Sequence, residues 1–478
     1  MYVILLILSA FQGLSIACID CESDDISISS SCDLSNSGPL PTRRKDRIRC
    51  VSEYPRSTLF TSRSTAIGAG NSQTLPFLHQ GVGFLALCLI ATAMAKPTTD
   101  NTALRAVSDG INQFSSAFFQ AVAQKKSGNL ITSPLSAGIV LSMASYGARG
   151  NTEKQFKDAL HLPNDDALSQ SGFQSLMDSL NSVNTAELRL ANKVFSSDQF
   201  SIKPTYKHLT ESFFRSTSDN IDFSKPQEAA EIINNWAASQ TNNRIKDIVS
   251  ESDVDPSTVL VLLNAVYFKG LWKNKFDPKN TVDKEFHVDA NTVKKVPTMY
   301  QKGHFRYGEI ESLNAKFIEL PYKGDELSMV VILPNEYNGL PQVEEKLKHM
   351  SIGEVLSHGY HRDVNVFLPK YKIESTVDLE EPLTQMGMTD MFTSRADFTG
   401  IADANLKVSK VIQKAFIEVN EEGSEAAAVT AILTPMSLPM PPNLPVDFHA
   451  DRPFYFTIIH DSVPLFVGML SQPVGINE

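Results

Sequence analysis

Residues 421–445 combine two demands that few folds meet together. The stretch Glu421-Glu422-Gly423-Ser424-Glu425-Ala426-Ala427-Ala428-Val429-Thr430 opens as a charged turn and continues as a run of small side chains. Side chains alternate between the two faces of a strand. From Ser424 onward one face carries Ser424, Ala426, Ala428, Thr430 and Ile432, with no charge, while Glu425 falls on the other. A sheet can bury such a face at little desolvation cost. Five prolines come next (Pro435, Pro439, Pro441, Pro442 and Pro445), which suit an exposed extended loop and not a central strand. An insertable hinge joined to an exposed loop points to a conformational trap. The plainer reading of the same residues is a flexible Ala/Pro linker.

The chain has 478 residues, enough for one large domain or two or three small ones. Its formal net charge of -11 disfavours non-specific binding to nucleic acid or an anionic membrane. All five cysteines, Cys18, Cys21, Cys32, Cys50 and Cys88, lie near the start. The chain beyond Cys88 therefore holds no disulfide or thiolate metal site and depends on its core. No Asn-x-Ser/Thr sequon occurs, so N-glycosylation is not expected.

Residues 1–95 read as a leader region. Residues 1–17 hold a short apolar run and end in Ser15-Ile16-Ala17, without the usual early positive charge. A second apolar run over 82–94 ends in Ala93-Met94-Ala95, and small residues one and three before a cut suit signal peptidase. Neither run has the length of a membrane span. The Ser-rich segment between them, with Arg43-Arg44-Lys45, reads as disordered. Either this region is an alternative leader upstream of the true signal, which we prefer, or it is a genuine extension with an internal anchor. Both readings send the chain to the secretory pathway and start the mature protein near Lys96.

Residues 96–478 show no repeat and no low-complexity divider, and read as one domain. Helical spacing over 103–125 (Ile111, Phe114, Phe118, Val122), Pro134 after Ser133, and 227–239 predict helices. The Val/Leu-rich run 258–268 predicts a central buried strand. Strands are expected at 317–320, 327–333, 364–368 and 408–419, and a hairpin at 454–459 and 464–470 around His460-Asp461-Ser462. Helices precede strands, which predicts an α+β fold with large antiparallel sheets.

No Gly-x-Ser-x-Gly elbow, His-Glu-x-x-His pair, P-loop or Gly-x-Gly-x-x-Gly occurs. His358 and His361, expected on an exposed loop, have no companion ligands in sequence, so no metal or cofactor is expected. Asp378, Glu380 and Glu381 fit a solvated helix start. An enzyme is the weaker hypothesis.

Several blocks together resemble the serpin family of serine protease inhibitors. Asn129-Leu130-Ile131-Thr132-Ser133-Pro134-Leu135-Ser136 is similar to the family's Asn-x-x-x-Ser-Pro-x-Ser, and Gly147-Ala148-Arg149-Gly150-Asn151-Thr152 to its Gly-Ala-Lys-Gly-Asn-Thr. Asn264-Ala265-Val266-Tyr267-Phe268-Lys269-Gly270-Leu271-Trp272 resembles its central strand and breach tryptophan. Leu320-Pro321-Tyr322-Lys323-Gly324, Leu368-Pro369-Lys370 and Phe448-His449-Ala450-Asp451-Arg452-Pro453-Phe454-Tyr455-Phe456 match further blocks, and the hinge stands in the matching place. The resemblance covers about 103–478 and not 1–95.

It implies a serpin fold, with three β-sheets, eight to nine helices and an exposed reactive-centre loop at about 421–447. It also implies a suicide mechanism, in which a protease attacks the loop and the freed hinge inserts into the main sheet. Gly423 would allow the turn, Ser424 would be the first inserting residue, and Ala426, Ala427 and Ala428 would permit fast insertion. Val429 is bulkier than usual and points away from the buried face. Glu421 and Lys370 match an ion pair at the sheet's top, which on general grounds is an exposed pair worth ~0–1 kcal/mol. Ser133, Ser136 and Asn264, with Asn129 in the same block, match the shutter below the sheet's centre. Gln413 stands where many members have His, and its amide can still donate and accept.

The reactive bond, counted from Gly423, falls between Ser437 and Leu438, or between Met436 and Ser437 if the loop is one residue shorter. No Lys or Arg occurs between Glu425 and Arg452, which disfavours trypsin-like targets and leaves elastase- or chymotrypsin-like serine proteases. Acids at Asp165, Asp166, Asp178 and Glu187, with no Lys or Arg from 164 to 188, argue against a helical heparin site. A monomer is expected. The competing reading is a non-inhibitory serpin acting as carrier, chaperone or storage protein, which the uncharged hinge disfavours.

Overall fold

A computed structural model describes residues 18–20, 27–29, 101–124, 128–424 and 444–473. The chain divides into two compact units, Met1–Leu85 and Ala86–Glu478. In the first, Cys18–Asp20 pairs antiparallel with Ser27–Ser29, with Ile19 opposite Ile28. This segment thus contains one short ladder, in which only Ile19 and Ile28 have high strand preference. The signal-like segments 1–17 and 82–95 lie outside the described residues.

The second unit is α+β, with nine α-helices among its described residues. Helix Asn101–Ala123 buries the stripe predicted from its spacing, including Ile111, Phe114, Phe118 and Val122. Helix Pro134–Gly147 starts where Ser133 caps it, the serine hydroxyl accepting from the Ser136 N–H. Nearly all its residues are buried, because it packs against both large sheets: Ala186–Ser197 and Leu260–Leu271 on one side, Val463–Leu470 on the other. Its apolar character all round is what such a position requires.

The six-stranded sheet positions the site. Its order is Tyr371–Asp378, Val408–Asn420, Gly423–Ser424, Leu260–Leu271, Ala186–Ser197, Ser218–Ile221. Val408–Asn420 and Leu260–Leu271 run parallel and pair directly from Val408/Leu260 to Phe416/Tyr267. Only above that point does the two-residue strand Gly423–Ser424 lie between them, antiparallel to both. The run predicted as a central strand is buried on both faces. One face joins the main core through Leu260, Leu262 and Val266. The other meets helix Pro226–Gln240 and residues 245–254 through Val261, Leu263 and Ala265.

The other two of the three expected sheets are joined into one nine-stranded network. The link is the 18-residue strand Val293–Ile310, whose start pairs with Val282–His287 and whose end pairs with Ala315–Pro321. The closing hairpin, Phe454–His460 and Val463–Leu470, turns on Asp461 and Ser462, both at positive φ (47° and 65°) as a two-residue turn demands. One local expectation fails. His361 lies on strand Tyr360–Pro369 and not in a loop, because Tyr360 to Pro369 pair in continuous register with Val293–Ile310.

Candidate functional site

The two central strands part at the top of the six-stranded sheet, and the hinge enters the gap. Gly423 stands opposite Asn420 and Leu271, and Ser424 opposite Val419 and Gly270. At Gly423 φ is +150°, and a Cβ would lie 1.9 Å from the Gly270 carbonyl oxygen, which no side chain tolerates. The wholly buried Ser424 hydroxyl lies 2.8 Å from that of Tyr322. Burial raises the Tyr322 phenol well above its ordinary value, so it stays neutral at the end of the hinge.

Trp272 anchors the turn before the hinge. Its ring stacks on Tyr322 at 4.6 Å with 10° between planes. Its indole N–H donates to the Asn420 carbonyl (2.9 Å) and its backbone N–H to that of Glu422 (2.9 Å). The Phe276 N–H donates to the Glu421 carbonyl at 3.0 Å. The Glu421 carboxylate pairs with Lys370 at 2.9 Å and accepts from the Thr281 hydroxyl at 2.8 Å. With the two side chains only 12% and 24% exposed, this is a half-buried pair and not the exposed one that general grounds supply. Burial acts to raise the Glu421 carboxyl pKa, but the hydrogen bonds from Lys370 and Thr281 outweigh it and hold it below its ordinary value. Glu422 pairs with Lys275.

A second polar cluster lies lower, on the core side of the same seam. Gln413 and Asn264 are opposite each other on the paired parallel strands. The Gln413 amide donates to Asn264 Oδ1 (2.6 Å) and to the Ser133 carbonyl (2.9 Å), and its oxygen accepts from the Ser133 N–H (2.9 Å). The Asn264 amide donates to Ser136 Oγ and Asn192 Oδ1. The Ser133 hydroxyl donates to the Leu465 carbonyl at 2.6 Å. All five side chains are at least 96% buried, so each depends on the others for hydrogen bonds.

The structure thus brings Ser133, Ser136, Asn264 and Gln413 together, and separately Trp272, Lys370, Glu421, Glu422, Gly423 and Ser424. Asn129 belongs to neither group. Its side chain ties down the chain leaving the last strand, accepting from the Ser471 and Gln472 N–H groups and donating to the Gln472 carbonyl. Sequence reasoning missed Asn192, Tyr322, Lys275 and Thr281. Asn192 carried one signal, an amide inside a strand-like apolar run, but its place opposite Asn264 is a matter of register. Residues 425–430 of the hinge and the candidate reactive bonds at Met436, Ser437 and Leu438 lie outside the described residues. Among the described residues, no three His, Cys, Asp or Glu side chains gather to hold a metal.

Two outcomes are expected. Asn264→Ala strands the buried Gln413 amide, Ser136 and Asn192, and should cost ~1–3 kcal/mol, read as a lower urea midpoint. Acid should release the hinge turn through Glu421. A carboxyl held below its unfolded value stabilises the docked form above that value and loses the contribution as pH falls through the folded one. The change therefore begins below about pH 4.3. Trp272 fluorescence in a Trp236→Phe background should report it, and Glu421→Gln should abolish the acid transition.

Comparison with known proteins agrees with this geometry. The family model described as Serpin (serine protease inhibitor) matches residues 109–473. Antitrypsin of Bombyx mori is 36% identical over 386 residues, covering 80% of this chain and 98% of that protein. Antichymotrypsin-2 of Bombyx mori is 38% identical over 364 residues, covering 76% and 96%. The crystal structure of Serpin48 from Tenebrio molitor superposes with a TM-score of 0.72 at 33% identity, covering 77% of this chain and 99% of that one. The chain belongs to the serpin family, in its invertebrate type, and is a protease inhibitor and not an enzyme.

Proposed function

We propose that the protein is a suicide inhibitor of secreted serine proteases with elastase- or chymotrypsin-like pockets. The observation that carries this reading is the half-open seam: two parallel strands paired along most of their length, parted at the top, with Gly423–Ser424 already between them. The target's serine Oγ attacks the carbonyl of Ser437 or Met436, the bond to the next residue's nitrogen breaks, and an ester joins loop to enzyme. The freed hinge then continues downward as a new central strand and carries the esterified protease with it before water deacylates it. Insertion replaces one parallel pairing with two antiparallel ones and buries the hinge's small-residue face, which supplies the driving force.

The absence of Lys and Arg between Glu425 and Arg452 supports the pocket class, as does the name of the relative Antichymotrypsin-2. The name Antitrypsin belongs to a relative and does not outweigh that absence. The apolar run before Ala93-Met94-Ala95 supports secretion, with a mature start near Lys96. We read the inhibitor as a monomer without a helical heparin site.

The test mixes the purified protein with elastase, chymotrypsin and trypsin, followed by boiled SDS gels and sequencing of the released peptide. A boiling-resistant band with elastase or chymotrypsin, and a peptide starting at Leu438 or Ser437, is the expected result. Cleavage by all three without such a band would overturn it. Ser424→Arg should convert the inhibitor into a substrate. Because Ser424 is already buried, an arginine there would be expelled from the gap in the intact chain, and its re-entry would bury an unpaired charge at several kcal/mol, so insertion should slow by ~100-fold or more, and the covalent band should vanish while cleavage persists.

A further inference from the structure

Helix Leu340–Leu347, far along the chain from the hinge, is held down by one apolar stripe and two hydrogen bonds. Leu340, Val343 and Leu347 form the stripe, spaced as a helix requires. They pack toward helix Asn101–Ala123, strands Leu327–Pro334 and Phe454–His460, and the turn Glu311–Leu313. From helix Asn101–Ala123 the Gln120 amide donates to the Glu344 carbonyl at 2.6 Å, and the Ser116 hydroxyl to the Leu347 carbonyl at 2.9 Å. Both acceptors lie in the last turn, whose carbonyls have no partner within the helix. Beyond that turn the contact thins. A cavity of about 400 Å³ is lined by Asn112, Ser116, Leu347, Met350, Tyr455 and Thr457, among others. A helix end beside a cavity gives up few packing contacts when it lifts.

Glu344 stands in this interface. Its side chain is half-buried, and Oε1 is buried without a hydrogen-bond partner. The donors that reach the helix, Gln120 and Ser116, are engaged by its backbone. No cation compensates the carboxylate. Lys346 donates to the Ser312 carbonyl at 2.5 Å, Lys348 pairs with Glu345, and His349 is exposed. Helix Asn101–Ala123 carries only Arg105 and Asp109, both toward its other end. The turn Glu311–Leu313 offers Glu311, a second acid, and strand Leu327–Pro334 has no ionisable residue. Strand Phe454–His460 offers His460 at its far end and Tyr455, whose phenol burial and the Glu344 charge both push up, so it stays neutral. Burial thus acts unopposed on the Glu344 carboxyl and pushes its pKa up to about 7.

We propose that the Glu344 carboxyl is a pH-sensitive latch: protonated, it lets helix Leu340–Leu347 dock on helix Asn101–Ala123, and ionised, it releases the helix and opens the cavity beside it. The docked form holds the proton more tightly than the released form, whose solvated carboxyl titrates at about 4.3. Docking therefore weakens as pH rises from about 4.3, and the loss is complete above about 7. The switch is independent of the reactive loop and needs no protease.

The test follows hydrogen exchange in the full chain by mass spectrometry at pH 5, 6, 7 and 8, with rates corrected for the intrinsic pH dependence of amide exchange. Protection of residues 340–347 should fall by about 10- to 100-fold from pH 5 to pH 8, while helix Pro134–Gly147 keeps its protection. Glu344→Gln keeps the size and cannot ionise, so its protection should not change with pH. Glu345→Gln removes the exposed neighbour and should retain the wild-type fall. A flat wild-type profile would overturn the proposal by itself, whatever the stability of the variants. So would a fall that survives in Glu344→Gln or is lost in Glu345→Gln.

Discussion

The hydrogen bond from Gln413 to Asn264 closes the seam on which the molecule depends. It joins two parallel strands at the centre of the main sheet, and parallel pairs are slightly weaker per residue than antiparallel ones. The chain has set its weakest kind of pairing in its middle and secured it with side chains. Gln413 also grips both backbone groups of Ser133, the residue that caps the buried helix Pro134–Gly147. Opening the seam therefore strains the helix start and the sheet together. That coupling gives the closed seam a barrier against opening.

The top of the seam is held differently. There the contacts are ion pairs and aromatic stacking around one turn: Glu421 with Lys370, Glu422 with Lys275, Trp272 on Tyr322. They hold the turn that sets Gly423 and Ser424 in the gap. Gly423 lets this happen, because the Gly270 carbonyl sits where a Cβ would be. A charge-held entrance above an amide-locked seam separates two jobs, keeping the hinge in frame and keeping the sheet shut.

Some of this was legible in the chain. The stripe of Ile111, Phe114, Phe118 and Val122, the Ser133-Pro134 helix start and the Val/Leu run of the central strand come from local patterns, and local patterns survive folding when one face is buried. The fusion of two sheets through Val293–Ile310 was not legible, since a long strand carries no mark of where its partners change. Asn129 shows the same limit. It shares a block with Ser133 and Ser136, yet it points to the C-terminal chain at Ser471 and Gln472.

The sequence by itself determined the α+β class, the uncharged face of the hinge and the lack of a basic residue in the loop, because each depends only on which residues stand near one another along the chain. Tertiary structure alone decided that Asn192 faces Asn264, that Tyr322 meets Ser424, and that Gly423 stands between Asn420 and Leu271. Asn192 and Asn264 are 72 positions apart in the chain and Tyr322 and Ser424 are 102, and such contacts depend on strand pairing, where a shift of one residue reverses every face.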